Sequence, residues 1–171
     1  MQDLIASSLK YQNNTLSVLD QYLLPHQQVW HECDDVASMR DLILSLKIRG
    51  APLIGLGASL LVAHLAEQGT AKVALAQAID DLEATRPTAV NLMHCMAKLR
   101  IALQQDDYVT AIVSAAVTLF NEDIALCESM ANHGAALVSS GDNILTHCNT
   151  GALATAGIGT ALGVIYKAQQ R

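Results

Sequence analysis

The sequence predicts an α/β chain: a mainly helical N-terminal domain (1–140) with short antiparallel strands, then a second unit (141–171) that opens with one strand and one helix. Three observations carry this. Hydrophobic residues make up 51% of the chain and aromatics 4%, so the core is built mainly from Ala, Leu, Val and Ile, which favours close-packed helices. Beyond Cys33 the apolar residues recur at helical spacing over long stretches. The run "SSGDN" at 139–143 is the clearest turn in the chain, because Ser, Gly, Asp and Asn end a helix with backbone freedom and local hydrogen bonds. A chain of 171 residues is long enough for one domain, or for one domain and the beginning of another.

Taken in order, "TLSVLDQYLL" and "HQQVWHEC" alternate in polarity around Pro25 and predict short antiparallel strands between Tyr11 and Cys33. Asp34 and Asp35 precede Val36, Met39, Leu42, Ile43 and Leu46, an amphipathic helix with an acidic start and Lys47 and Arg49 at its other end. "LIGLGASLLVAHLAEQ" is apolar on all sides and predicts a helix packed inside. A helix over Ala71–Thr85 follows, then one starting near Pro87 or Thr88 with Met93, Met96, Leu99 and Leu103 on its inner face. Asp106 and Asp107 open a helical region that reaches about Val138, as one helix or two. After the turn, "ILTHC" predicts a short buried strand and about Thr150 to Ala168 a helix. A strand and helix of this kind open a parallel sheet, yet no further strand is present to pair with them, so the second unit is expected to be truncated.

The net charge of -6 and pI near 5.3 argue against a nucleic-acid partner, since phosphate neutralisation needs clustered Lys and Arg. "MQDLIASSLKYQNN" has no apolar core with a small-residue cleavage site, so a cytoplasmic protein is expected. Cys33, Cys95, Cys127 and Cys148 include no C-x-x-C pair and read as free thiols of a reducing compartment. Three of them lie beside a histidine (His31, His94, His147), but those pairs are too far apart in sequence to predict a zinc site, and neither metal nor cofactor is expected. Ile144 to Tyr166 lacks Asp, Glu, Lys and Arg and is long enough to span a bilayer; its His147, Asn149, Thr and Gly residues and the missing basic flank argue against membrane insertion.

The glycines of "LTHCNTGALATAGIGTALG" do not fit a dinucleotide loop: Gly151 stands alone, while Gly157, Gly159 and Gly163 fall inside the expected helix, where close packing explains them. Cys148 lies where the strand should give way to the helix. Ligands of open α/β sheets collect there, and helix-start N–H groups favour a thiolate, although a lone Cys is more often a small buried hydrophobe.

Three blocks, "IRGAPLIGLGA" (48–58), "RPTAVNL" (86–92) and "LTHCNTGALATAGIGTALGVI" (145–165), closely resemble the S-methyl-5-thioribose-1-phosphate isomerase family of methionine salvage. "LDQYLLP" (19–25) and "NEDIALCESMANHGAALV" (121–138) resemble its corresponding segments, so the likeness covers nearly the whole chain. The resemblance implies conversion of an aldose 1-phosphate to a ketose 1-phosphate, with Cys148 as the catalytic Cys, its partner Asp in a block beyond this sequence, and 141–171 as the start of a truncated Rossmann-like domain. Read alone, Arg49 and Arg86 are ordinary surface arginines; with the resemblance, Arg49, Gly50, Ala51 and Arg86 are expected to bind the substrate phosphate, with Asn91 a weaker candidate and His147 orienting the loop or filling space. A homodimer, or association with a missing C-terminal portion, is expected. The alternatives are a ribose 1,5-bisphosphate isomerase and a non-catalytic module like the regulatory subunits of translation initiation factors.

Overall fold

The computed structural model describes residues 1–171. Four strands, β1 (Leu4–Ile5), β2 (Leu9–Gln12), β3 (Thr15–Leu19) and β4 (Trp30–Glu32), pair in chain order as an antiparallel sheet. Asn13 and Asn14, with φ of 52° and 62°, form the two-residue turn between β2 and β3. Two positive φ angles match the turn to the twist of the strands, and Asn tolerates them. The register places Leu9 opposite Val18 and Tyr11 opposite Leu16, all four facing the core. The sequence placed strands no earlier than Tyr11; β1 and the start of β2 precede it.

Helix α1 (Val36–Leu44) starts where Asp35 accepts the Ser38 N–H at 2.7 Å. Helix α2 (Ala51–Glu67) is buried along almost its whole length and packs against the sheet and its helical neighbours. It runs through the centre of the molecule, as its all-round apolar sequence demands. Gly55 lets α4 approach, since a Cβ there would lie 2.8 Å from Cys95 Sγ. Helices α3 (Lys72–Thr85) and α4 (Val90–Leu103) flank it. α4 begins at Val90, after a turn in which the Ala89 N–H donates to the Arg86 carbonyl. Its inner face is Leu92, Cys95, Met96, Leu99 and Leu103, whereas Met93, expected inside, is exposed.

The last helical stretch before the turn is one helix, α5 (Tyr108–Ala135), capped by Asp107 on the Thr110 N–H. It contains no Pro, and no Gly before Gly134, to interrupt it. α5 is long and apolar enough by length and composition to cross a bilayer, yet here it packs on α2, α4 and α6 (Ala161–Gln169). The turn at 139–143 forms around Gly141 (φ 93°), with the Ser139 N–H donating to Asp142 Oδ2 at 2.8 Å.

Two local expectations in 141–171 are corrected. "ILTHC" is not a strand: its backbone is exposed and makes no hydrogen bond, because nothing lies alongside to pair with it. The helix does not begin near Thr150; residues 150–160 form a tight loop and α6 starts only at Ala161. Gly151 (φ 85°) and Gly159 (φ 96°) hold backbone conformations that a right-handed helix excludes. Every member of the contiguous core except Ala156 comes from residues 4–120, so 141–171 lies against a core that is already closed.

Candidate functional site

The blocks "RGAP" and "THCNTGALATAG" lie far apart in sequence and meet in space. Gly50 (φ 99°) precedes α2, and a Cβ on it would stand 2.4 Å from the Ala154 carbonyl oxygen, so only glycine fits. That carbonyl accepts the Leu53 N–H at 3.2 Å, and the preceding one, on Leu153, accepts Gln21 Nε2 at 2.7 Å and Ser8 Oγ at 3.2 Å. The 150–160 loop is thus pinned to the α2 N-terminus and to the connections before β2 and after β3.

At a helix start four N–H groups have no partner in the helix. In α2 Pro52 has none to offer and Leu53 is bonded to Ala154. The Gly50 and Ala51 N–H groups make no hydrogen bond within the chain and remain free for an anion. Arg49, beside them, is exposed and forms no ion pair. Its guanidinium is not committed to a carboxylate.

Within the loop, a Cβ on Gly159 would lie 2.2 Å from Gly151 Cα, so two glycine backbones cross at van der Waals contact. Thr150 Oγ1 accepts the Leu162 N–H at 3.0 Å and pairs with Thr160 Oγ1 at 2.9 Å, capping α6 from across the loop. Gly157 packs against Cys127 of α5, and Gly163 touches Ile158. The glycines pack, as read from the sequence, but Gly157 and Gly159 do so before the helix and not inside it.

Cys148 stands two residues before Thr150, exposed and at φ 73°, a left-handed conformation that a non-glycine residue adopts at a cost of about 1–3 kcal/mol. The other three cysteines are buried. Burial pushes the Cys33 thiol up to about 12, with the Asp35 and Asp34 charges adding to it, and raises Cys95 and Cys127 as well. Those three are held as neutral thiols, packing groups rather than nucleophiles. His147, next to Cys148 in sequence, is exposed.

Arg86 is also exposed and free of ion pairs, but it lies at the α3–α4 turn and no hydrogen bond links it to Arg49, Gly50 or Cys148. Asn91 reaches the α2 side: with Pro52, His94, Glu122 and Asp123 it lines a small cavity of about 150 Å³ between α2, α4 and α5. No group of three or more His, Cys, Asp or Glu side chains is arranged to hold a metal ion; His31 instead pairs with the buried Asp20 at 3.0 Å.

Sequence reasoning missed Asp123. Its carboxylate accepts the Ala156 N–H at 2.7 Å. The signal was present: on α5 the buried stripe runs Ile112, Ala116, Phe120, Cys127, Ala131, and Asp123 is an acidic residue on that stripe. Burial pushes its carboxyl above the usual range, while the Ala156 N–H and the neighbouring Gly157 N–H pull it back only in part.

Comparison with known proteins agrees with the sequence blocks. Residues 47–171 match the model of the initiation factor 2 subunit family. The chain is 54% identical over 169 residues, 99% of its length, to a protein of Yersinia pestis (strain Pestoides F) named methylthioribose-1-phosphate isomerase, covering 49% of that protein. It is 52% identical to the protein of that name from Serratia proteamaculans (strain 568), covering 100% of this chain and 50% of the relative. The chain spans about half the length of the curated relatives it matches. Two crystal structures superpose on it. The 5-methylthioribose 1-phosphate isomerase of Pyrococcus horikoshii OT3 does so with TM-score 0.84 and 31% identity over 95% of this chain and 50% of that one. Translation initiation factor eIF-2B, subunit delta, from A. fulgidus does so with TM-score 0.80 and 32% identity over 97% and 52%.

Proposed function

The chain belongs to the initiation factor 2 subunit family, and from that premise we propose that it is part of an aldose–ketose isomerase converting S-methyl-5-thioribose 1-phosphate to S-methyl-5-thioribulose 1-phosphate in methionine salvage. The observation that carries the reading is the 54% identity, over 99% of this chain, to a relative named for that activity. The geometry supports it. The two blocks that resemble the isomerase interlock at Gly50 and Ala154, leaving two free amides and an unpaired guanidinium in a segment joined through six loop residues to an exposed thiol.

The chemistry is redox-neutral. The bond between C1 and the ring oxygen breaks, the ring oxygen gains a proton, one hydrogen moves from C2 to C1, and the C2 hydroxyl loses its proton to become the ketone. The phosphate on the anomeric oxygen keeps the ring from opening freely, so the reaction needs a proton donor and a proton acceptor held beside the sugar. Cys148 supplies one of these groups. Its partner is an Asp in the portion of the relatives' length that this chain does not span, as the family resemblance implies. Arg49 and the Gly50 and Ala51 amides neutralise the phosphate dianion, and Arg86 adds a second guanidinium. Metal and cofactor play no part in this scheme. The protein acts in the cytoplasm, as a homodimer or with a polypeptide that supplies the remaining half.

The test joins residues 1–171 to the remaining half of the Yersinia pestis relative and measures product from methylthioribose 1-phosphate and, separately, from ribose 1,5-bisphosphate. Turnover of the first substrate alone is expected; preference for the bisphosphate would transfer the assignment to that isomerase. A folded protein inactive on both would favour the non-catalytic reading, which the match to the initiation-factor subunit supports.

A further inference from the structure

Asp123 is a polar group that the proposed reaction does not use, and it ties the longest helix to the loop carrying the site. It lies on the buried stripe of α5 and holds Ala156, the one residue of 141–171 in the contiguous core, through a 2.7 Å hydrogen bond. Two residues before Ala156, the Ala154 carbonyl takes the Leu53 N–H and sits on Gly50 with no room for a Cβ. That contact decides which α2 amides stay free. On the other side of the loop, Thr155 Oγ1 donates to the Gly157 carbonyl at 3.2 Å, Gly151 crosses Gly159, and Thr150 leads to Cys148. Asp123 thus adds, just beyond Ala154, an anchor from α5 to those that Leu53, Gln21 and Ser8 provide for the backbone leading from the α2 start to the thiol.

We infer that Asp123 is a positioning residue for the site: by holding the Ala156 N–H against α5, it helps fix Cys148 relative to the free amides at the start of α2. Asp123 itself touches no reacting atom. Its effect on turnover rests on the isomerase reading, whereas its effect on the loop does not.

Two measurements separate these. In the 171-residue chain, Asp123→Ala should speed amide hydrogen exchange at Leu53 and Ala156 by roughly tenfold, since a charge-assisted acceptor is lost, and leave α3 unchanged. Asp123→Asn, which keeps an oxygen acceptor, should stay near the parent. In the protein joined to the relative's remaining half, Asp123→Ala should lower kcat on the order of 10²-fold with KM moved much less, as a misplaced catalytic group does, and Asp123→Asn should recover most of that loss. Should Asp123→Ala not fold, Asp123→Glu, whose carboxylate is one methylene out of place, takes its part with the same expected losses. Unchanged exchange at these two amides, or a folded Asp123→Ala protein with parental kcat, would overturn the inference. A joined parent protein without activity would count against the isomerase reading, and the exchange result would still decide the role of Asp123.

Discussion

At the scale of single residues, the site depends on which polar groups are left without partners. Cys33, Cys95 and Cys127 are buried with raised thiol pKa values, and Cys148 is exposed. Alkylation at about pH 8, near the ordinary thiol pKa, should therefore modify one thiol quickly in the native chain and all four only after unfolding. Two fast thiols would contradict the burial described. In the joined protein, Cys148→Ser should reduce turnover by on the order of 10²-fold or more without changing the thermal midpoint; near-parental turnover would remove Cys148 from catalysis. Gly50 is the matching backbone test. Its positive φ, and the Ala154 carbonyl oxygen 2.4 Å from where a Cβ would stand, predict that Gly50→Ala costs about 2–4 kcal/mol in urea unfolding. An unchanged midpoint would show that the two blocks do not interlock as described.

At the scale of elements, helices were legible wherever their own residues determine them. Asp35 and Asp107 mark the starts of α1 and α5, and the apolar spacing located α2 to within two residues of its ends. The Asp35 carboxyl is held below the usual range by the Ser38 N–H, so its contribution is present above the unfolded pKa of about 3.9 and is lost as pH falls through the lower folded value. Asp35→Ala should accordingly cost about 1 kcal/mol at neutral pH, and the gap between parent and variant should close in acid. A gap that persists below that folded value would show that the cap acts through something other than its charge. What was not legible depends on distant parts of the chain. An apolar run such as "ILTHC" reads as a strand, but a strand exists only when another lies beside it. The 150–160 loop reads as helix until Asp123, Leu53 and Gly50 are brought against it, and those contacts span tens of residues or more. Arg49, Gly50, Ala51 and Arg86 came from the wording of the blocks, and Cys148 from that wording and from its place between an expected strand and helix; spacing alone gave no reason to group them. The structure sets Gly50 against Ala154, six residues along the chain from Cys148, and places Arg86 at the α3–α4 turn.

At the scale of the whole molecule, the chain forms a closed core and carries an outer segment with unpaired backbone and exposed apolar side chains, among them Leu145, 96% exposed, Ile158 and Leu162. Such a surface suits association with further polypeptide, and the matched relatives are about twice as long. The central claim is that Cys148 and the phosphate donors at the start of α2 form one site. Its most direct test is the rate of Cys148 alkylation in the protein joined to the relative's remaining half, followed by mass spectrometry with and without methylthioribose 1-phosphate. At a substrate concentration of about ten times Kd the rate should fall roughly tenfold, and Arg49→Gln should abolish that protection at the same concentration. A Cys148 alkylation rate unchanged by saturating substrate would contradict the account.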